Sequence, residues 1–197
     1  MSVSLTKGQK VSLTKESSSL SRVIVGLGWD EVEQKKGLLS MFFKKEAIDC
    51  DAAAILLKGG KFTSKEDIVY FGNLRHKSLS VIHMGDNLTG QGEGDDEQIV
   101  IDLGSVPSDY DKIVISCNIY KAYERRQHFG LIRNAFVRIV DAKTNKELCR
   151  YNLSDEYANA TAMIFGEIYR HDNEWKFGAV GQGTNDPGLG ELVKRFI

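Results

Sequence analysis

The chain has 197 residues, 42% of them hydrophobic, and its 26 Lys and Arg against 27 Asp and Glu leave a formal net charge of −1. That length supplies a sizeable core and is read as one domain over residues 1–197. The near balance of charge argues against a general nucleic-acid binder, which needs a basic surface to neutralise phosphates, and no run approaches the ~18 apolar residues of a membrane span.

The first ten residues lack the apolar core of a signal peptide, so a cytoplasmic location is expected. Cys50, Cys117 and Cys149 are odd in number and far apart, which fits reduced thiols better than a disulfide framework or a zinc site. The sequons at Asn87, Asn152 and Asn159 are then coincidental.

In chain order, a short first strand ends near Leu5 to Gly8, and Val11 to Leu13 begins another. Val23, Val25 and Leu27 alternate with Ile24 and Gly26, which predicts a strand with one strongly apolar face, ending at Gly28-Trp29-Asp30. Trp29 reads as core, whereas Asp30 closes the strand facing either water or the acidic loop described below. Glu31 to Ala47 is a connection whose apolar run Leu38 to Phe43 is flanked by Lys35, Lys36, Lys44 and Lys45. Such a run serves as a docking surface for a partner or an anionic membrane, or simply folds down on its own domain. Asp49 and Asp51 bracket Cys50 at the start of an apolar strand over Ala52 to Leu57, so both carboxylates share one face, as ligands or as exposed strand-end charges. Strands are also predicted at Ile68 to Phe71 and Ser80 to His83. After the acidic loop, Ile99 to Leu103, Ile113 to Tyr120, Ala135 to Val140, Leu148 to Tyr151, Ala162 to Tyr169 and Trp175 to Val180 follow, with a tight turn at His171 to Asn173. Many strands at short intervals predict an all-β fold, an antiparallel β-sandwich. Only Leu189, Leu192, Val193 and Phe196, after Pro187 and Gly188, show helical spacing, which predicts a short C-terminal helix over one sheet end.

Gly85 to Glu97 is the stretch the chain is organised around. Asp86, Glu93, Asp95, Asp96 and Glu97 place five carboxylates in thirteen residues among Gly90, Gly92 and Gly94, and no Lys or Arg occurs between Lys77 and Lys112. Two carboxylates about 4 Å apart repel by roughly 4 kcal/mol at an effective dielectric near 20. Nothing nearby in sequence offsets that, so a hard cation taking oxygen ligands fits the loop; its oxygen-only composition suits calcium better than magnesium and excludes the His and Cys preferences of zinc and copper. An EF-hand is set aside because Leu88 and Gly90 stand where oxygen ligands belong, and a phosphate loop because Gln91 and Gly92 replace Lys and Ser/Thr. A solvated acidic loop without a ligand is the plain alternative.

Catalytic patterns are missing. His76, His83, His128 and His171 show no metal-ligand pairing, no nucleophile elbow occurs, and the cysteines sit in strand patterns that bury thiols.

Gly26-Leu-Gly-Trp-Asp30, Asp49-Cys-Asp51-Ala52, Gly85-Asp-Asn-Leu-Thr-Gly90 with Gly94-Asp-Asp-Glu97, and Gly166-Glu-Ile-Tyr-Arg170 before Glu174-Trp-Lys-Phe177 together make the chain similar to the TerD family from about Val3 to its C-terminus. These are tellurium-resistance and general-stress proteins of bacteria. The resemblance implies a calcium-binding β-sandwich without enzymatic activity, linked to chemical stress and acting with partner proteins in complexes at the inner membrane face. It associates calcium with the acidic loop, here Asp86, Asn87, Asp95, Asp96 and Glu97. Five loop carboxylates exceed the charge of one ion, so two calcium ions are expected, with Asp30, Asp49 and Asp51 as further candidates from neighbouring loops. Lys121 stands where many relatives carry a carboxylate, and Glu31 to Ala47 is longer and more apolar than in shorter relatives. A calcium-dependent interaction module is thus expected; an enzyme acting on a metal-bound or oxyanion substrate and a plain calcium buffer are the competing readings.

Overall fold

The computed structural model describes residues 2–17, 20–32, 46–85, 94–153 and 157–197. The acidic loop's residues 86–93, hence Asp86 and Asn87, and the apolar run Leu38 to Phe43 lie outside them.

Two six-stranded sheets face each other. The first contains β1 (Val3–Leu5), β10 (Lys146–Asn152), β9 (Ile132–Asp141), β3 (Arg22–Glu31), β7 (Glu97–Asp102) and β6 (Val81–His83), in that spatial order. The second contains β2 (Lys10–Ser12), β12 (Glu174–Thr184), β11 (Ala162–His171), β8 (Lys112–Ile119), β4 (Cys50–Leu57) and β5 (Ile68–Val69). All neighbours are antiparallel except β1 and β10, which run parallel. The expected all-β sandwich is therefore what forms.

The period of two decides which side chains meet between the sheets. Val23, Val25, Leu27 and Trp29 of β3 point inward and are at most 5% exposed, as do Ile99 and Ile101 of β7 and Cys50, Ala52, Ala54 and Leu56 of β4. Strand β4 is buried on both faces because its other side, Ile55 and Leu57, is covered by Leu192 and Val193. Those two belong to α3 (Leu189–Leu192) and the 3₁₀ turn that continues it to Phe196, so the C-terminal segment caps the outer face of the second sheet. Fully burying a side chain such as Leu192 contributes about 2 kcal/mol.

Two single-turn helices, α1 (Leu13–Glu16) and α2 (Ala122–Arg125), fall where strands or loops were expected. Four residues are too few to show a helical period, and α1 forms because the Ser12 hydroxyl accepts from the Lys15 N–H at 3.3 Å. The strand expected to run to Phe71 stops at Val69, since Tyr70 and Asn73 bridge across a tight turn. No helix among the described residues is long and apolar enough to cross a membrane.

Candidate functional site at the acidic end

Strands β6 and β7 pair antiparallel, so the acidic loop joins two neighbours at one end of the first sheet. Gly85 (φ +119°) and Gly94 (φ +115°) stand at its two ends in backbone conformations that disfavour any side chain. At the entry, the buried His83 accepts from the Gly85 N–H through Nδ1 at 3.2 Å. Its hydrogen therefore sits on Nε2, which faces Glu97 Oε2 at 3.6 Å.

At the exit, three consecutive carboxylates go three ways. Asp95 lies on the outer face of the first sheet, where Arg138 of β9 donates to it from Nε at 2.6 Å and from Nη2 at 3.0 Å, and Gln98 adds a bond at 3.0 Å. Gly26 makes room for this pair: a Cβ there would stand 2.2 Å from Asp95 Oδ2. At Gly28 a Cβ would meet the Phe136 ring at 2.4 Å and the Gly94 carbonyl at 2.9 Å. The two glycines of Gly26-Leu-Gly-Trp-Asp30 thus form a trough in which the loop exit rests. Asp96 stays at the strand end, its backbone N–H donating to Leu27 O at 2.7 Å and its Oδ2 accepting from the Trp29 N–H at 2.8 Å. Glu97 turns inward between the sheets, where its Oε2 accepts the Ala52 N–H at 2.5 Å. Strand β5 has only two residues and ends its pairing with β4 at Ala54, so that N–H lies beyond its reach and the carboxylate takes it.

Asp30 sits beside Asp96, close enough that its charge raises the Asp96 carboxyl. Asp96 is held above the usual carboxylate range first by burial and then by Asp30 and Asp95, with the Trp29 N–H acting the other way. Opposite Asp30 the β3–β9 register shifts: Gly28 pairs Phe136 and Asp30 pairs Arg133, so Asn134 and Ala135 together oppose Trp29. This bulge throws Asn134 into the left-handed region (φ +54°), and its Nδ2 donates to Asp30 Oδ2 at 2.7 Å.

Asp49 and Asp51 arrive where the chain re-enters the fold. Ile48 N–H donates to Glu31 Oε1 at 2.6 Å, Gln127 Nε2 donates to Glu46 O at 2.9 Å, and Arg125 of α2 pairs Glu46 at 2.5 Å. Arg125 also lies 3.9 Å from Asp49, and Asn118 Nδ2 donates to Asp51 Oδ2 at 3.4 Å. Both aspartates are nearly buried, at 9% and 5% exposure, rather than open strand-end charges. Behind them Cys50 and Cys117 touch, both thiols pushed up, Cys50 mainly by burial and Cys117 first by its hydrogen bond with Cys50. As expected of strand cysteines, all three are buried free thiols.

Of the eight predicted residues, the fold brings Asp30 and Asp96 together, sets Asp49, Asp51 and Glu97 around the start of β4, and turns Asp95 away onto Arg138. Among the described residues no three His, Cys, Asp or Glu side chains gather closely enough to hold a metal ion. The groups that do come together, Asp30 with Asn134 and Asp96, are hard oxygen donors, and the negative charge on Asp96 is incompletely offset. Asn134 and Arg138 escaped the sequence reading. Asn134 lies just ahead of the strand expected over Ala135 to Val140, so no alternation marked the first; nothing local signalled the second, 43 residues from its partner.

A second polar cluster lies elsewhere. Asp67 Oδ1 accepts from Tyr110 at 2.6 Å, His76 Nε2 lies 3.4 Å from it, and His76 Nδ1 meets the Ser78 hydroxyl at 2.6 Å. The order Ser, His, Asp imitates a nucleophilic relay, but His76 is 0% exposed and Asp67 1%, which makes the cluster packing rather than an open site.

A family model described as the TerD domain matches residues 1–196. A stress response protein of Bacillus subtilis is 50% identical over 199 residues, with all of both chains covered. Tellurium resistance protein TerD of Serratia marcescens is 46% identical over 184 residues, covering 93% of this chain and 91% of that protein. Among solved structures, a homologue of telluride resistance protein TerD from Streptomyces coelicolor superposes with a TM-score of 0.61 at 20% identity, over 85% of this chain and 92% of that one, which is a likeness of fold.

Proposed function

Because this chain belongs to the TerD family, we propose that it is a stress-protection protein of the tellurium-resistance type whose acidic end binds calcium, two ions in all, and presents a calcium-dependent surface to other proteins of a stress complex. The observation that carries the reading is Asp96, raised by burial and by Asp30 and Asp95 while one backbone N–H offsets it. A group so placed gains from a cation beside it.

Asp30 and Asp96 hold one ion, with the Asn134 carboxamide bonded to Asp30. Asp49 and Asp51 are the candidates for the second, and by sequence Asp86 and Asn87 supply further oxygens. Asp95 acts as a strut, its charge already answered by Arg138, and Glu97 holds the edge of β4. Calcium would supply positive charge and a demand for several oxygen ligands, which draws the glycine-rich loop onto the sheet end. The protein works by binding rather than catalysis, in the cytoplasm or at the inner membrane face.

Calorimetry on chelator-stripped protein tests this. A dissociation constant between about 10⁻⁷ and 10⁻⁴ M is expected, with stabilisation of about 2.7 kcal/mol when free calcium is 100 times that constant. No heat and no rise in melting temperature would refute the reading. Pull-downs with calcium and with chelator separate module from buffer, since a buffer captures the same proteins in both.

A further inference from the structure

On the far side of Asn134 lies a cleft of about 370 Å³ lined by Phe129, Ile132, Arg133, Asn134, Leu153 and Tyr157 among others. Its volume is within the range of roughly 300–1,000 Å³ that small-molecule sites occupy, and its lining mixes the apolar side chains of Phe129, Ile132, Leu153 and Tyr157 with at least as much polar surface, Arg133 and Asn134 among it. Leu131, Ile132, Leu153 and Tyr157 pack their inner sides on the main core and are only partly covered, so the floor is backed by rigid structure. The Tyr157 hydroxyl donates to Gly181 O at 3.0 Å, which fixes the ring as a wall.

The cation is Arg133. It pairs in register with Asp30, yet the Asp30 carboxylate is bonded to Asn134, and the exposed Arg133 side chain has no carboxylate partner among the described residues. Every other arginine on this face is engaged: Arg138 with Asp95 and Glu147, Arg150 with Glu147 and over the Phe136 ring at 3.6 Å. A guanidinium with no carboxylate partner among the described residues, beside the apolar side chains of the cleft, offers a planar fork to an anionic oxygen group and a surface for the body that carries it.

We propose that this cleft binds a small amphiphilic anion, an aromatic or branched aliphatic body bearing one carboxylate or chemically similar group, with Arg133 taking the anion and Phe129, Ile132, Leu153 and Tyr157 the body. The site goes beyond the calcium reading and stands without it: Arg133, not a metal, supplies the charge. It shares one wall with the acidic end, because Asn134 lines the cleft and bonds Asp30.

The test uses the whole chain in chelator with two probes of the same shape, anilinonaphthalene sulfonate and the uncharged phenyl-naphthylamine, followed by fluorescence titration. One sulfonate probe should bind per folded chain. Arg133→Gln should weaken the sulfonate about fivefold, the scale of one exposed charge contact, and leave the uncharged probe unchanged. Ala158→Trp, at an exposed position on the rim, should abolish both at an unchanged melting temperature. Equal sulfonate affinity in Arg133→Gln, or both probes retained by Ala158→Trp, overturns the proposal.

Discussion

Two carboxylates in this molecule, the buried Asp67 and the half-buried Asp96, have opposite fates. Asp67 receives the Tyr110 hydroxyl at 2.6 Å, the Thr63 hydroxyl at 3.2 Å, the His76 ring at 3.4 Å and Lys77 at 3.5 Å. Burial acts to raise it, but the bonds from Tyr110 and His76 and the charge of Lys77 outweigh that, and it stays below the usual carboxylate range. Asp96 also pays for burial, but has one backbone N–H in return and two like charges beside it, so it is raised. A carboxylate whose acceptor sites are filled by its own fold is a structural element; one that the fold leaves short of positive charge is where an outside cation has something to add.

The largest effect should come from emptying the first environment. Asp67→Ala leaves the Tyr110 hydroxyl and the His76 ring without their acceptor in a buried setting, and should destabilise the protein by about 3 kcal/mol in chemical denaturation. A loss under about 1 kcal/mol would show that the cluster relaxes freely. Arg138→Gln comes next, because it strands the buried Asp95 over Gly26. About 2 kcal/mol is expected, together with weaker calcium affinity as the loop exit leaves its trough.

Acid should separate the two regions further. His76 is lowered, first by burial, so the fold favours its neutral form, and its contribution is lost as pH falls below the ordinary histidine value near 6.5. Asp67 is lowered as well, and its contribution is lost at lower pH, as the carboxylate protonates through its folded value. Asp96 has the opposite sign, since its charged form is disfavoured and protonation relieves it. Melting temperature in chelator should therefore fall from about pH 6.5 downward, and His76→Gln should flatten the upper part of that fall while Asp96→Asn leaves it intact.

The smallest effect has the reverse direction. Asp96→Asn keeps an oxygen for the Trp29 N–H and removes a disfavoured charge, so the calcium-free protein should gain about 0.5 kcal/mol, read as a slightly higher melting temperature. Calcium heat should drop sharply in the same variant. Destabilisation of the calcium-free protein would mean that Asp96 is structural after all, and the comparison with Asp67 would collapse.

The sequence by itself determined the sandwich, because alternation along a strand is local: Val23, Val25, Leu27 and Trp29 had only one way to be buried together. It also determined that Gly85 to Glu97 joins two strands, and that the family's motifs are present. Short elements escaped, since the four residues of α1 or α2 carry no period. The direction of each carboxylate was decided by tertiary structure alone. Asp95, Asp96 and Glu97 are adjacent in the chain, but only Glu97 belongs to β7, so strand alternation does not fix all three directions, and what each meets comes from afar: Arg138 on β9, the Trp29 N–H on β3, the Ala52 N–H on β4. The cation that the sequence lacks near the loop is supplied to Asp95 by another strand, which is why counting charges along the chain overstated the repulsion there and could not single out Asp96 as the place where it remains.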